Sequence, residues 1–252
     1  MKRTTFVMMA VVLAAWASAA SANTVKAKFT SILSREAVHV HNGTENLYVW
    51  AGQSQFEKID ITPDNESNPA HDLDNPFGGY CVDLNQSITF GYTTTWELRP
   101  LEEAPVGAGG GTGSAMGDIR ATLLRRLWAN YFTDPNYAEF QVAVWEILGE
   151  KNSATDGYDV TDGTFHAPYS GEVNRTMING WLTAITASGY SGAEASIVWA
   201  LTSTQTQDFA VLIETITVPP GPHAPEPVTL FGLLAGVGGL ARYVHGRRGR
   251  RD

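Results

Sequence analysis

Cysteine is almost missing from this 252-residue chain; Cys81 is the only one. An internal disulfide is therefore excluded. Basic residues are scarce away from the ends. Lys2, Arg3, Arg242, Arg247, Arg248, Arg250 and Arg251 hold seven of the 17, leaving ten against 25 acids between them, a net charge near −15. Such a surface repels nucleic acid, and no basic patch with interleaved aromatics interrupts it. A phosphate-binding loop is missing too, because Gly107–Gly113 is not followed by Lys-Ser/Thr. There is no internal repeat and no EF-hand spacing. Asp156, Asp159 and Asp162 are spaced only loosely like a calcium loop, and solvated turns account for them. The same holds for His39, His41, Asp72, Asp74 and Asp83 as a metal set, so neither metal nor cofactor is expected. A cysteine protease needs a histidine beside its thiol and an acid to orient it. His39, His41, His71 and His166 sit in no such local signature, and His39 and His41 alternate with Val38 and Val40 as an exposed strand face. Trp50, Trp96, Trp128, Trp145, Trp181 and Trp199 fall mostly on apolar stripes, which points to core packing rather than a carbohydrate platform.

Residues 1–22 have the three parts of a secretory signal: basic Lys2 and Arg3, an apolar run from Phe6 to Trp16, and Ala20-Ser21-Ala22 as a cleavage pattern. The apolar run is too short to span a membrane comfortably. At the other end a Pro-rich linker, 218–227, finishes in Pro225-Glu226-Pro227. An apolar stretch from Val228 to Val244 and an arginine cluster complete the tail, 228–252. Apolar residues followed by arginines should enter the membrane with the basic end inside. Motif, apolar helix and arginine cluster together resemble the PEP-CTERM sorting signal of bacterial envelope proteins. The resemblance implies processing by an exosortase, an integral-membrane cysteine protease, so that the tail is an address. A plain single-pass anchor is the alternative. The expected localisation is the cell envelope, cell surface or extracellular matrix.

Residues 23–217 then form one exported domain, large enough for a substantial core. Its first half alternates as strands over 26–33, 37–41 and 47–50, with Asn42-Gly43 as a hairpin turn and Gly52 as another turn. Residues 60–76 read as a loop; 80–84 and 87–93 read as strands. Three helices follow a glycine-rich linker. The first, from Asp118 to about Tyr131, carries the stripe Ile119, Leu123, Leu124, Leu127, Trp128 and Tyr131. The second runs from about Asn136 to Gly149, with Asn136 and Glu139 as a capping box. The third spans Glu172 to Ala187. Strands return over 196–201 and 209–218. The expected fold class is α+β, a β-rich barrel- or sandwich-like lobe with a helical lobe.

The second helix contains an oddity. Gln141 shares a stripe with Trp145 and Leu148, beside a second stripe of Phe140, Val144 and Ile147, while Glu139, Glu146 and Glu150 mark a wet face. Gln141 thus stands where leucine is expected. A buried carboxamide without partners costs about 1–3 kcal/mol, so it needs hydrogen bonds or a reaction. Cys81, flanked by Tyr80 and Val82, sits in an inward-looking β segment. The two groups could join: a thiolate attacks the glutamine carbonyl, ammonia leaves, and an internal thioester remains. Tyr80 and Trp145 are the candidates to shield it from water.

Cys81 in an N-terminal β region, with Gln141, Ala143, Val144 and Trp145 on a helix, resembles the thioester (TQXA) domains of bacterial surface adhesins. The resemblance spans about Lys26 to Glu150, with Phe140 where the family usually has threonine. It implies that Cys81 and Gln141 form the thioester, and that an amine-bearing surface or matrix polymer opens it to an isopeptide bond. The chain would be an adhesive harpoon used once, not a turnover enzyme. The alternative is a non-covalent structural or exopolysaccharide-associated envelope protein in which both residues are core.

Overall fold

The structure is a computed structural model describing residues 22–106, 113–132, 136–150, 157–169, 171–195 and 198–213. The signal segment up to residue 21, Asp134-Pro135, Asp156, the Pro-rich linker, Pro225-Glu226-Pro227 and the 228–252 tail lie outside the described residues, as does most of the glycine-rich linker. Among the described residues no helix is long and apolar enough to cross a membrane.

Six antiparallel strands close into a barrel in the order β1 (Thr24–His41), β2 (Asn46–Thr62), β3 (Phe77–Cys81), β8 (Phe209–Leu212), β7 (Val198–Thr202) and β4 (Thr93–Pro100), which returns to β1. The two-residue strands β5 (Pro105–Val106) and β6 (Ser114–Ala115) pair with each other. Among the described residues three α-helices, α1 (Asp118–Tyr131), α2 (Tyr137–Gly149) and α3 (Arg175–Thr186), are inserted between β4 and β7 in sequence. The chain is α+β, as its pattern predicts.

Period-two alternation builds β1. Val25, Ala27 and Phe29 are buried while Lys26, Lys28 and Thr30 face solvent. The two segments expected there are one strand, with register shifts near Ala27, Ser31 and Glu36 and Ser34 in the left-handed region (φ 43°). Gly52 is not a turn. It lies inside β2, where an added Cβ would come within 2.6 Å of the Leu33 carbonyl oxygen, so only glycine allows the two strands this approach. Residues 87–93 are not a strand either. The Tyr92 N–H donates to the Thr89 carbonyl, Gly91 takes φ 81°, and the strand begins at Thr93, with Trp96 and Leu98 buried. Phe29, Phe56, Phe77, Trp96 and Phe209 make the aromatic core of the barrel.

Helix α2 packs against β1, β2 and β3 and against both other helices. Every residue from Ala138 to Ile147 except Glu139 is buried, so the helix is enclosed on nearly all sides. That overturns the wet face. Glu146 and Glu150 are buried because the chain around 157–166 covers them: the Asp159 N–H donates to Glu146 Oε1 at 2.9 Å, and the Thr164 N–H donates to Glu150 Oε2 at 2.8 Å. The capping box does not form, since Glu139 Oε1 accepts the Asn174 N–H instead. Asn174 caps α3 through the Met177 N–H, so that helix starts three residues later than its sequence suggests. Ile119 leaves the α1 stripe and is 77% exposed.

Candidate functional site

Strand β3 ends at Cys81, 60 residues from Gln141, and the two are in contact. The Cys81 N–H donates to Gln141 Oε1 at 2.8 Å, and Gln141 Nε2 donates to the Cys81 carbonyl at 2.9 Å. The topology explains why both backbone groups are free to do this. The β2–β3 ladder stops at Ser54↔Gly79. Successive strand residues point their N–H and C=O to opposite neighbours. The Val82 N–H points to β8, bonding the Asp208 carbonyl at 3.0 Å, so Cys81 points to the β2 side. There the Gln141 carboxamide stands in for the next residue of β2.

Both residues are shut away: Gln141 is 1% exposed and Cys81 5%. The sulfur donates to the Asp83 carbonyl at 3.3 Å and accepts from Gln207 Nε2 at 2.8 Å. Burial pushes the thiol up to about 12; the charges of Asp83 and Asp208 add to the rise, while the Trp145 indole and the Asp83 backbone oppose it. The indole N–H of Trp145 is buried without a hydrogen-bond partner, and the residue lines the same cavity as Cys81. A cavity of about 220 Å³ reaches the pair; Trp145, Gln207, Trp50 and Phe90 are among its walls. Trp50 and Phe90 are about half exposed, at 50% and 48%.

The two shielding candidates part company. Trp145 lines the cavity beside the sulfur. Tyr80 does not line it. Its fully buried ring packs against Trp128, Phe132 and Phe140, in the aromatic cluster that joins β3 to α1 and α2. Phe140, where the resemblance expects threonine, belongs to that cluster too. His39 lies elsewhere, bonded through both its backbone N–H and its ring to Glu172 at 2.6 Å. Among the described residues no histidine has a hydrogen bond to Cys81.

Three polar residues escape the sequence reading, the part-buried Gln207 and the buried Glu146 and Asp208. Gln207 reaches the sulfur only because β3 and β8 pair across 126 positions. Glu146 has one unpartnered oxygen, and burial raises its carboxyl to about 8; Asp208, likewise buried with Oδ2 unpartnered, is raised to about 7. Their setting in a polar turn or on an apparent helix face gave no local signal.

No family model matches the chain, and no curated protein matches it. Among solved structures, the N-terminal thioester domain of a surface protein from Clostridium perfringens is similar with a TM-score of 0.36 and 14% identity, over 75% of this chain and 97% of that one. The functional reading therefore rests on the geometry of the cysteine–glutamine pair.

Proposed function

We propose that this chain is an exported surface or matrix protein that captures amine-bearing partners through a thioester between Cys81 and Gln141. The observation that carries the reading is the two-point contact between a buried carboxamide and the backbone of the chain's only cysteine, at the end of a cavity. The Cys81 N–H polarises the carbonyl that its own sulfur would attack, in the manner of an oxyanion donor. The Sγ–Cδ bond forms, the Cδ–Nε2 bond breaks, and ammonia departs with the thiol proton. An incoming primary amine later attacks Cδ; its nitrogen becomes the amide, and its proton returns to the sulfur. Each molecule reacts once, so it is not a turnover enzyme. Export by the N-terminal signal and sorting by an exosortase acting at Pro225-Glu226-Pro227 belong to the same proposal.

A second reading draws on the same contact. Both polar atoms of the carboxamide are satisfied, so Gln141 can serve purely as a latch that extends the barrel ladder from a helix. The protein is then a non-covalent structural component of the envelope or its exopolysaccharide. Intact mass of the mature protein separates the two. The thioester lowers it by about 17 Da, leaves no titratable thiol, and lets methylamine add. A full mass with one free thiol eliminates the covalent reading.

A further inference from the structure

Gln207 is held at both ends. Its backbone carbonyl accepts the Trp96 indole N–H at 3.2 Å, and its side-chain Nε2 lies 3.2 Å from the carbonyls of Asp83 and Gln86. The turn that carries it is braced as well: Asp208 Oδ1 accepts the Ser203 N–H at 2.6 Å, and the Thr206 hydroxyl donates to the Ser87 carbonyl at 3.2 Å. A carboxamide nitrogen has two hydrogens, and two carbonyls would use both. Yet a third acceptor, Cys81 Sγ, stands nearer than either, at 2.8 Å. Latching Asp83 and Gln86 does not require that approach.

We propose that Gln207 is the hydrogen-bond donor to the reacting sulfur, fixing Sγ in place and stabilising its thiolate when the thioester closes and again when an amine expels it. The assignment rests on the thioester reading for its role, but its physical content, a donor that favours the thiolate, holds for a free thiol as well. A neutral thiol is a weak acceptor, so the two hydrogens then favour the carbonyls. A charged sulfur is a strong one and draws a hydrogen to itself. Bonding is therefore stronger in the charged state, which is what lowers a barrier.

Gln207→Met tests this, because methionine keeps the length and approximate volume and removes the donor. If wild-type protein carries the thioester, the rate of opening by methylamine is compared in the two proteins. If it carries a free thiol, the thioester reading has failed, and alkylation of Cys81 by iodoacetamide is compared instead. In either case the variant should react about ten- to a hundredfold more slowly at neutral pH, the worth of one hydrogen bond to a charged group. The pH profile of alkylation should also move upward. Equal rates and an unshifted profile in a variant that melts like wild type overturn the assignment. Should Gln207→Met fail to fold, Gln207→Leu provides the same readout: it too has no donor and adds no charge, so a wild-type rate overturns the assignment and a slowed one supports it.

Discussion

Gln141 completes the hydrogen bonding of Cys81 from a different element, offering its Oε1 to one backbone group and its Nε2 to the other at 2.8 and 2.9 Å. A helix side chain thereby acts as one residue of a β-ladder. Replacing it removes more than a contact, because it strands a buried N–H and a buried C=O together. Gln141→Leu, similar in volume, should cost about 2–5 kcal/mol, the sum of two unsatisfied backbone groups. Urea unfolding measures it as a lower midpoint at unchanged slope. A loss below about 1 kcal/mol means the pair contributes little to the fold.

Cys81→Ala separates the two readings by stability alone. If the sulfur is only a small buried hydrophobe, trimming it costs about 1 kcal/mol. If it is bonded to Gln141, the substitution also opens a covalent link that closes a loop of 60 residues in sequence. By the chain-entropy argument used for disulfides, such a link is worth about 4 kcal/mol. The thioester reading therefore expects the large loss in urea unfolding, and the latch reading the small one.

Much of the architecture was legible because local pattern and burial agree. The Asp118–Tyr131 helix, the alternation in β1 and the Asn42-Gly43 turn all follow from the sequence. Two of the misreadings share one cause: a neighbour distant in sequence decided the outcome. Gly52 looks like a turn until Leu33 is seen to press against it. Glu146 and Glu150 look solvated until the chain around 157–166 folds over them. Of the site, Cys81, Gln141 and Trp145 stand out as residues unusual for their context, whereas Gln207 is an ordinary polar turn residue until β8 pairs with β3.

Glu146 gives the fold a pH dependence. Its carboxyl is raised from 4.5 to about 8, chiefly by burial, with Glu150 and Asp159 adding to the rise and the Asp159 N–H opposing it. The native state thus holds a proton that the unfolded chain releases above about pH 4.5. Stability from this group is full below that value and is lost as pH rises toward 8. Asp208, raised to about 7, acts in the same direction over a lower window. The melting temperature should fall by several degrees between pH 5 and pH 8. Glu146→Gln, which has no proton to release, should flatten that slope in calorimetry, and an unchanged slope rules Glu146 out as its source.

Phe140→Thr restores the residue that the thioester resemblance expects before Gln141, and the structure argues that it will not help. Phe140 is 1% exposed, with its ring 4.6 Å from Tyr80, 5.3 Å from Trp128 and 5.8 Å from Phe132. It is absent from the walls of the cavity that reaches the sulfur. A threonine would leave a hole between β3 and the helices and bury a hydroxyl there. Removing a core phenylalanine ring costs about 3–5 kcal/mol. The expected outcome is a markedly lower melting temperature with no gain in methylamine capture. Faster capture at unchanged stability would show that position 140 governs the chemistry, and that the aromatic cluster is dispensable to the fold.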